Sequence, residues 1–118
     1  MEKNRGIKRL VFALLYSWQG LRSALKHEEA FRQEFIGFVA LTIFSFFLDV
    51  TPMERLIMIS TLVLVMIVEV LNSAIETTID RVSYDKHKLS GRAKDYGSFA
   101  VLMTILIATA TWLTILFA

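Results

Sequence analysis

The chain has 118 residues and no cysteine. That excludes a disulfide framework, thiolate metal sites and cysteine nucleophiles. It has one proline, Pro52, and a hydrophobic fraction of 55%, so a disordered chain is excluded as well. Neither a GxxxxGK[ST] nor a GxGxxG pattern occurs, so any phosphate cradle is not a P-loop or a kinase glycine loop. The net charge is only +2, which gives no reason to expect nucleic acid as a partner. No small-residue cleavage site follows the basic start MEKNRGIKRLVF, so no removed signal peptide is expected. Charge itself is missing from three long runs: Phe35–Leu48 (14 residues), Leu56–Val68 (13) and Tyr96–Ala118 (23).

What is present is packed outside those runs. Thirteen Lys and Arg and eleven Asp and Glu share the remaining positions, although mean hydropathy is +0.55. A soluble domain interleaves charge and apolarity along amphipathic elements, whereas blocks of each read as membrane spans and polar connections. Length allows one domain, residues 1–118.

Ile7, Leu10, Val11, Leu14, Leu15, Trp18, Leu21 and Leu25 recur at helical spacing, with basic residues mostly elsewhere on the wheel. This predicts a basic amphipathic surface helix over about 5–26 that lies in the membrane interface. A first span is expected over about 30–50, although its uncharged part covers only roughly 21 Å. Asp49-Val50-Thr51-Pro52 reads as a turn. A second span follows over about 54–81, a polar loop over 82–92, and a third span over about 93–117. The expected class is therefore an all-α membrane protein with one surface helix and three transmembrane helices. Twelve of the thirteen Lys and Arg lie in residues 1–32 or 81–94, and only Arg55 lies between the first two spans. The positive-inside rule then puts the N-terminus in the cytoplasm and the C-terminus outside.

The second span is interrupted by Glu69, Asn72, Ser73, Glu76 and Asp80. Taking Glu69 as zero, Glu76 falls near about −20°, Asp80 near about +20°, Ser73 near about +40° and Asn72 near about −60°. They form one stripe. Carboxylates at membrane depth are costly and point to function, and several on one face repel unless cations or donors sit among them. A purely structural polar network is the blander alternative, and for Asp80 a salt bridge to a basic neighbour would suffice. Topology brings Glu28, Glu29, Arg32 and Glu34 of the first span and Lys94, Asp95 and Ser98 of the third to the same cytoplasmic level. Hard oxygen donors suit Mg²⁺ held jointly with phosphate oxygens, and a lysine binds phosphate as a point charge. The residues thus point to nucleotide chemistry at the inner membrane surface.

Glu69-Val-Leu-Asn-Ser-Ala-Ile-Glu-Thr-Thr-Ile-Asp80 resembles the E-x-x-N-[ST]-[SA]-x-E-x-x-x-D signature of the prokaryotic membrane diacylglycerol kinases. The likeness extends to Tyr16-Ser-Trp-Gln-Gly-Leu-Arg22, Glu28-Glu-Ala-Phe-Arg-Gln-Glu34 and Leu89-Ser-Gly-Arg-Ala-Lys-Asp-Tyr-Gly-Ser98. It implies a homotrimer with active sites shared between subunits, in the inner (cytoplasmic) membrane. It also implies ATP- and Mg²⁺-dependent phosphorylation of diacylglycerol to phosphatidate, in lipid recycling. By resemblance Glu69 is the general base and Asn72 orients it or a phosphate oxygen. Glu28 and Glu76 match the metal-holding carboxylates and also face the nucleotide. Arg9, Tyr16, Lys94 and Asp95 resemble phosphate and nucleotide contacts, and Asp85, Lys86 and His87 occupy the nucleotide loop. Arg22, Ala30, Phe31, Arg32, Glu34 and Ser98 resemble lipid-site positions, with Arg9, Glu69, Trp18 and Trp112 also placed toward the lipid.

Plainer roles stand beside these. Arg9, Arg22 and Arg32 suit anionic headgroups in general, and Tyr16, Trp18 and Trp112 suit interface anchors. His27 and His87 read as solvated histidines, and Glu29, Glu54 and Lys88 as solvated charges. Undecaprenol kinases share the Glu–Asn–Glu–Asp helix, but Phe31-Arg-Gln-Glu34 and Ser90–Ser98 look like the diacylglycerol branch. A small proton-coupled exporter is the alternative from another class. It would need carboxylates near the midplane and reachable from both sides. A small assembly protein would instead tolerate Glu69→Gln.

Overall fold

The computed structural model describes residues 2–118, with side chains placed from Arg5 onward. Lys3, counted above among the N-terminal basic residues, lies outside the described side chains. Four helices follow in order: α1 (Glu2–His27), α2 (Glu29–Ser45), α3 (Pro52–Val82) and α4 (Lys88–Phe117). No strand occurs among the described residues. α3 and α4 form the most extensive pair, α2 packs on α3, and α1 packs chiefly on α2.

Burial follows the polarity a membrane would impose. The buried residues include Ser45, Thr61, Glu69, Asn72 and Thr104, whereas the buried apolar set is Ala24, Phe31, Met58 and Ala108. Large apolar side chains such as Ile36, Leu106 and Phe117 stand exposed. In water such a surface would be an association liability; against lipid tails it carries no penalty. The buried hydroxyls are satisfied inside their own helices: Ser45 Oγ donates to Thr42 O (2.6 Å), Thr61 Oγ1 to Met58 O (2.6 Å) and Thr104 Oγ1 to Val101 O (2.7 Å).

α3 and α4 are each long and apolar enough to cross a membrane, with a mean hydropathy of 2.2 in their best windows. α2 has 17 residues and reaches roughly 26 Å, slightly under the ~30 Å hydrocarbon core. The helix expected to run to residue 50 stops at Ser45, and Phe46, Phe47 and Leu48 close i→i−3 bonds to Ile43, Phe44 and Ser45. The reason is Arg55. Its Nε donates to Ser45 O (3.0 Å), its Nη2 to Leu48 O (3.1 Å), and its guanidinium lies 5.2 Å over the Phe46 ring. A cation satisfying terminal carbonyls is a C-terminal cap supplied from the next helix.

α3 starts at Thr51 as N-cap with Pro52 in the first turn. Glu54 is a capping-box partner and not merely a solvated charge: Thr51 Oγ1 accepts from Glu54 N (3.1 Å), and Thr51 N donates to Glu54 Oε1 (2.9 Å). α4 begins at Lys88, earlier than the expected residue 93, because His87 Nδ1 accepts from Leu89 N at 3.1 Å and caps the helix. The polar stretch Lys88–Arg92 is therefore a water-facing first turn of α4, and the connection shrinks to residues 83–87. Between α1 and α2 only Glu28 leaves helical geometry (φ −107, ψ 102). Glu28 N still reaches Ala24 O, and Arg32 N reaches Glu28 O.

Candidate active site

The site grows from the polar stripe of α3. Glu69 and Asn72 keep 6% and 9% of their surface, which places a carboxyl and a carboxamide in the interior of an apolar bundle. From α2, Glu34 brings its carboxyl within hydrogen-bonding reach of Glu69. Glu34 Oε2 is buried without a hydrogen-bond partner. Glu76 and Glu28 both lie within electrostatic reach of Glu69. One turn along α3, Asn72 Nδ2 donates to Glu76 Oε1 at 3.4 Å. Three carboxyl groups, from the N-cap of α2, from α2 and from α3, thus surround that of Glu69, and one of them takes the Asn72 amide. One further turn along, Asp80 pairs with Lys94 of α4 (Nζ–Oδ1 3.0 Å), both partly exposed. The salt bridge entertained for Asp80 is present.

Two concavities lie on either side: one begins at Asp80, farther along α3, and the other shares Glu34 with this cluster. One, of about 450 Å³, is polar and lies around the α3–α4 connection, lined by Asp80, Asp85, Lys86, His87, Ser90 and Lys94 among others. Its size is that of a small-ligand pocket. The other, about 540 Å³, is an apolar groove between α2, α3 and α4. It runs from Glu34 past Phe38, Leu41 and Met66 to Trp112. Glu34 belongs to the groove and to the carboxyl cluster at once, so the groove reaches the residue that faces Glu69. At the far end Trp112 Nε1 donates to Met58 O at 3.0 Å. This indole is tied into the bundle and is not a free interface anchor.

The residues singled out from the sequence fall into three sets. Glu28, Glu34, Glu69, Asn72 and Glu76 gather in one place, and Lys94 lies within electrostatic reach of Glu76. Asp85, Lys86, His87 and Lys94 line the polar cavity. His87 is more than a solvated residue there, because its Nδ1 is taken by the cap of α4. Arg9, Tyr16 and Trp18 are not brought to the carboxyl cluster. They stand exposed on α1, where Tyr16 stacks on Phe12 at 6.2 Å. Arg22 lines a shallow basic hollow with Lys26 and His27.

Arg32, read as a headgroup or substrate ligand, donates to the terminal carbonyls Leu25 O (2.9 Å) and Lys26 O (3.3 Å), so it caps α1. Phe31 is buried against Phe35, whereas Ala30, Asp95 and Ser98 are exposed. Sequence reasoning passed over Gly97, which packs against Asn72, and the groove wall at Phe38, Leu41 and Met66. An unbroken apolar run carries no signal that separates a groove from a lipid-facing surface.

Among the described residues no three His, Asp or Glu side chains form a group able to hold a metal by themselves. Two carboxylates facing a ligand's phosphates are nonetheless the usual donor set for Mg²⁺, which keeps the rest of its shell for phosphate oxygens and water. Glu28, the N-cap of α2, and Glu76 of α3, both within electrostatic reach of Glu69, fit that set.

A family model described as prokaryotic diacylglycerol kinase matches residues 15–116. The chain is 48% identical to the diacylglycerol kinase of Escherichia coli strain K12 over 113 residues, covering 96% of this chain and 93% of that one. It is 46% identical to the diacylglycerol kinase of Haemophilus influenzae over 117 residues, 99% of each chain. The diacylglycerol kinase of Pseudomonas aeruginosa is 48% identical over 111 residues, 94% of this chain and 90% of that one.

Proposed function

The chain belongs to the prokaryotic diacylglycerol kinase family, and from that premise we propose how its groups perform the transfer of a phosphoryl group from ATP to the free hydroxyl of a diacylglycerol. The observation that carries the reading is the carboxyl cluster of α2 and α3, with an apolar groove reaching it on one side and a polar cavity farther along α3 on the other. The apolar groove ends at Glu34, whose carboxyl reaches Glu69. The polar cavity ends at the Asp80–Lys94 pair, one turn beyond Glu76. A lipid hydroxyl arriving along the groove and a nucleotide arriving from the cytoplasmic side meet between them.

Acyl chains lie in the groove and hold the glycerol hydroxyl near Glu69. Glu69 takes the hydroxyl proton as the oxygen attacks the γ-phosphorus. The P–O bond to ADP breaks in line, and phosphatidate and ADP result. Fixing both reactants in one geometry supplies a large share of the acceleration. Glu34 orients Glu69 from the groove side, and Asn72 holds Glu76 from the other. Lys94 faces the phosphates as a point charge, and the 83–87 connection with His87 forms the adenosine side of the cavity. Glu28 and Glu76 would hold Mg²⁺, which neutralises phosphate charge when bound.

α1 supports shared sites in a homotrimer. Arg9 and Tyr16 stand exposed on α1, as expected if a neighbour's site receives them. Exposed apolar faces on all of the bundle helices support three spans against lipid and neighbouring copies. The distribution of Lys and Arg supports the inner membrane with the N-terminus in the cytoplasm.

The test is lipid-dependent ADP release in mixed micelles, with and without Mg²⁺, comparing diacylglycerol with undecaprenol. Diacylglycerol with Mg²⁺ is expected to turn over. Activity on undecaprenol alone would move the chain to the sister branch, and no lipid-dependent release with either would end the kinase reading. Glu76→Gln is expected to weaken Mg²⁺-dependent nucleotide binding.

A further inference from the structure

Among the described residues, Gly97 is the one glycine whose missing side chain has a neighbour in its place. At Gly6, Gly20, Gly37 and Gly91 an added Cβ would meet nothing within 4 Å, whereas at Gly97 it would overlap Asn72 Oδ1 and stand 2.9 Å from Asn72 Cγ. Gly97 is buried inside α4, about three turns from its start, a position where glycine weakens a helix. Asn72 Oδ1 is buried and has no hydrogen-bond partner, while Nδ2 of the same carboxamide donates to Glu76 Oε1.

These observations share one geometry. A glycine hydrogen lies along the direction a Cβ would take, so the Gly97 Cα–H points into Asn72 Oδ1. That is a weak C–H···O contact of the kind found where helices approach closely. It selects one orientation of the carboxamide. The flipped arrangement would set Oδ1 against a Glu76 oxygen, two acceptors facing each other, and would leave the NH₂ against a C–H.

We propose that Gly97 is a positioning residue: by admitting the Asn72 carbonyl against α4 it turns the carboxamide N–H toward Glu76 and so holds Glu76 as a metal and phosphate ligand. The inference rests on the kinase reading above, in which Glu76 is such a ligand. A methyl at residue 97 forces the carboxamide to rotate or α4 to back away, and both release Nδ2 from Glu76. Loss of a hydrogen-bond partner behind a metal ligand lowers metal affinity by about 10- to 100-fold.

The experiment is a double-mutant cycle on the full-length protein in detergent micelles. Mn²⁺ serves as the probe, its binding in the presence of a non-hydrolysable ATP analogue read by electron paramagnetic resonance. Gly97→Ala is expected to weaken Mn²⁺ binding by about tenfold or more. In an Asn72→Ala background the same substitution is expected to change it by less than about twofold, because the overlapping atom is gone. The thermal midpoint lost in Gly97→Ala is expected to return in the double variant for the same reason.

A loss of the same size in both backgrounds would make Gly97 a packing residue only and overturn the inference, as would wild-type Mn²⁺ affinity in Gly97→Ala. Absence of nucleotide-dependent Mn²⁺ binding in the wild-type protein would instead overturn the kinase reading on which the inference stands.

Discussion

Replacing Glu69 by Gln removes a base and almost nothing else. The two side chains have the same shape, so the groove, the Asn72–Glu76 bond and the Asp80–Lys94 pair stay in place. Glu69 sits at 6% exposure. Positioned general bases contribute about 10²- to 10⁴-fold, equivalent to about 3–5 kcal/mol in the barrier. The expected result is a fall in kcat within that range. KM for MgATP is expected to change by less than about twofold, because the base acts on the proton in flight and not on bound substrate.

The structure adds a second expectation for the same variant. Glu69 faces Glu34 within hydrogen-bonding reach. An amide there donates to Glu34 and removes one of several mutually repelling carboxylates, so the thermal midpoint should hold or rise. The assay is coupled ADP release in mixed micelles, paired with thermal unfolding in the same detergent. A kcat within about threefold of wild type would refute the base assignment. A large loss of stability would refute the geometry that makes the substitution local.

Three further outcomes follow from other parts of the fold. Arg55→Ala removes two hydrogen bonds to carbonyls and the contact with Phe46; it should lower stability by about 2 kcal/mol in denaturant unfolding, while the folded fraction keeps its kcat because Arg55 lies at the opposite end from Glu69. Asp80→Asn breaks a pair whose side chains are 36–41% exposed, so stability should change by under about 1 kcal/mol, whereas KM for ATP should rise several-fold as Lys94 leaves the cavity. Gly37→Leu places a side chain into the groove, where an added Cβ meets nothing within 4 Å; KM for diacylglycerol should rise by about tenfold with KM for ATP unmoved, since a filled pocket excludes lipid at a cost comparable to overpacking. Equal changes in both KM values would separate the groove from lipid binding.

Much of the architecture was legible because a membrane imposes blunt rules. Uncharged runs, their lengths and the bias of Lys and Arg are one-dimensional quantities, and the helix period places Glu69, Asn72 and Glu76 on one face without any contact being known. What failed were boundaries decided by single hydrogen bonds. Arg55 reaching back to Ser45 ended α2 early, and His87 accepting from Leu89 started α4 early. The capping bonds of Glu54 and Arg32 were hidden for the same reason: a cap and a surface charge are the same residue types in a sequence.

The sequence by itself determined that this is an α-helical membrane chain whose charged groups collect at one end, because hydropathy and period depend only on the order of residues. Only the tertiary structure decided which of those groups work together. It joined Glu34 to Glu69 and Lys94 to Asp80, tied Trp112 to Met58, and set Gly97 against Asn72. Each of those pairs joins two different helices, and the azimuth of one helix against another is set by close packing of side chains, which no single helix's period encodes.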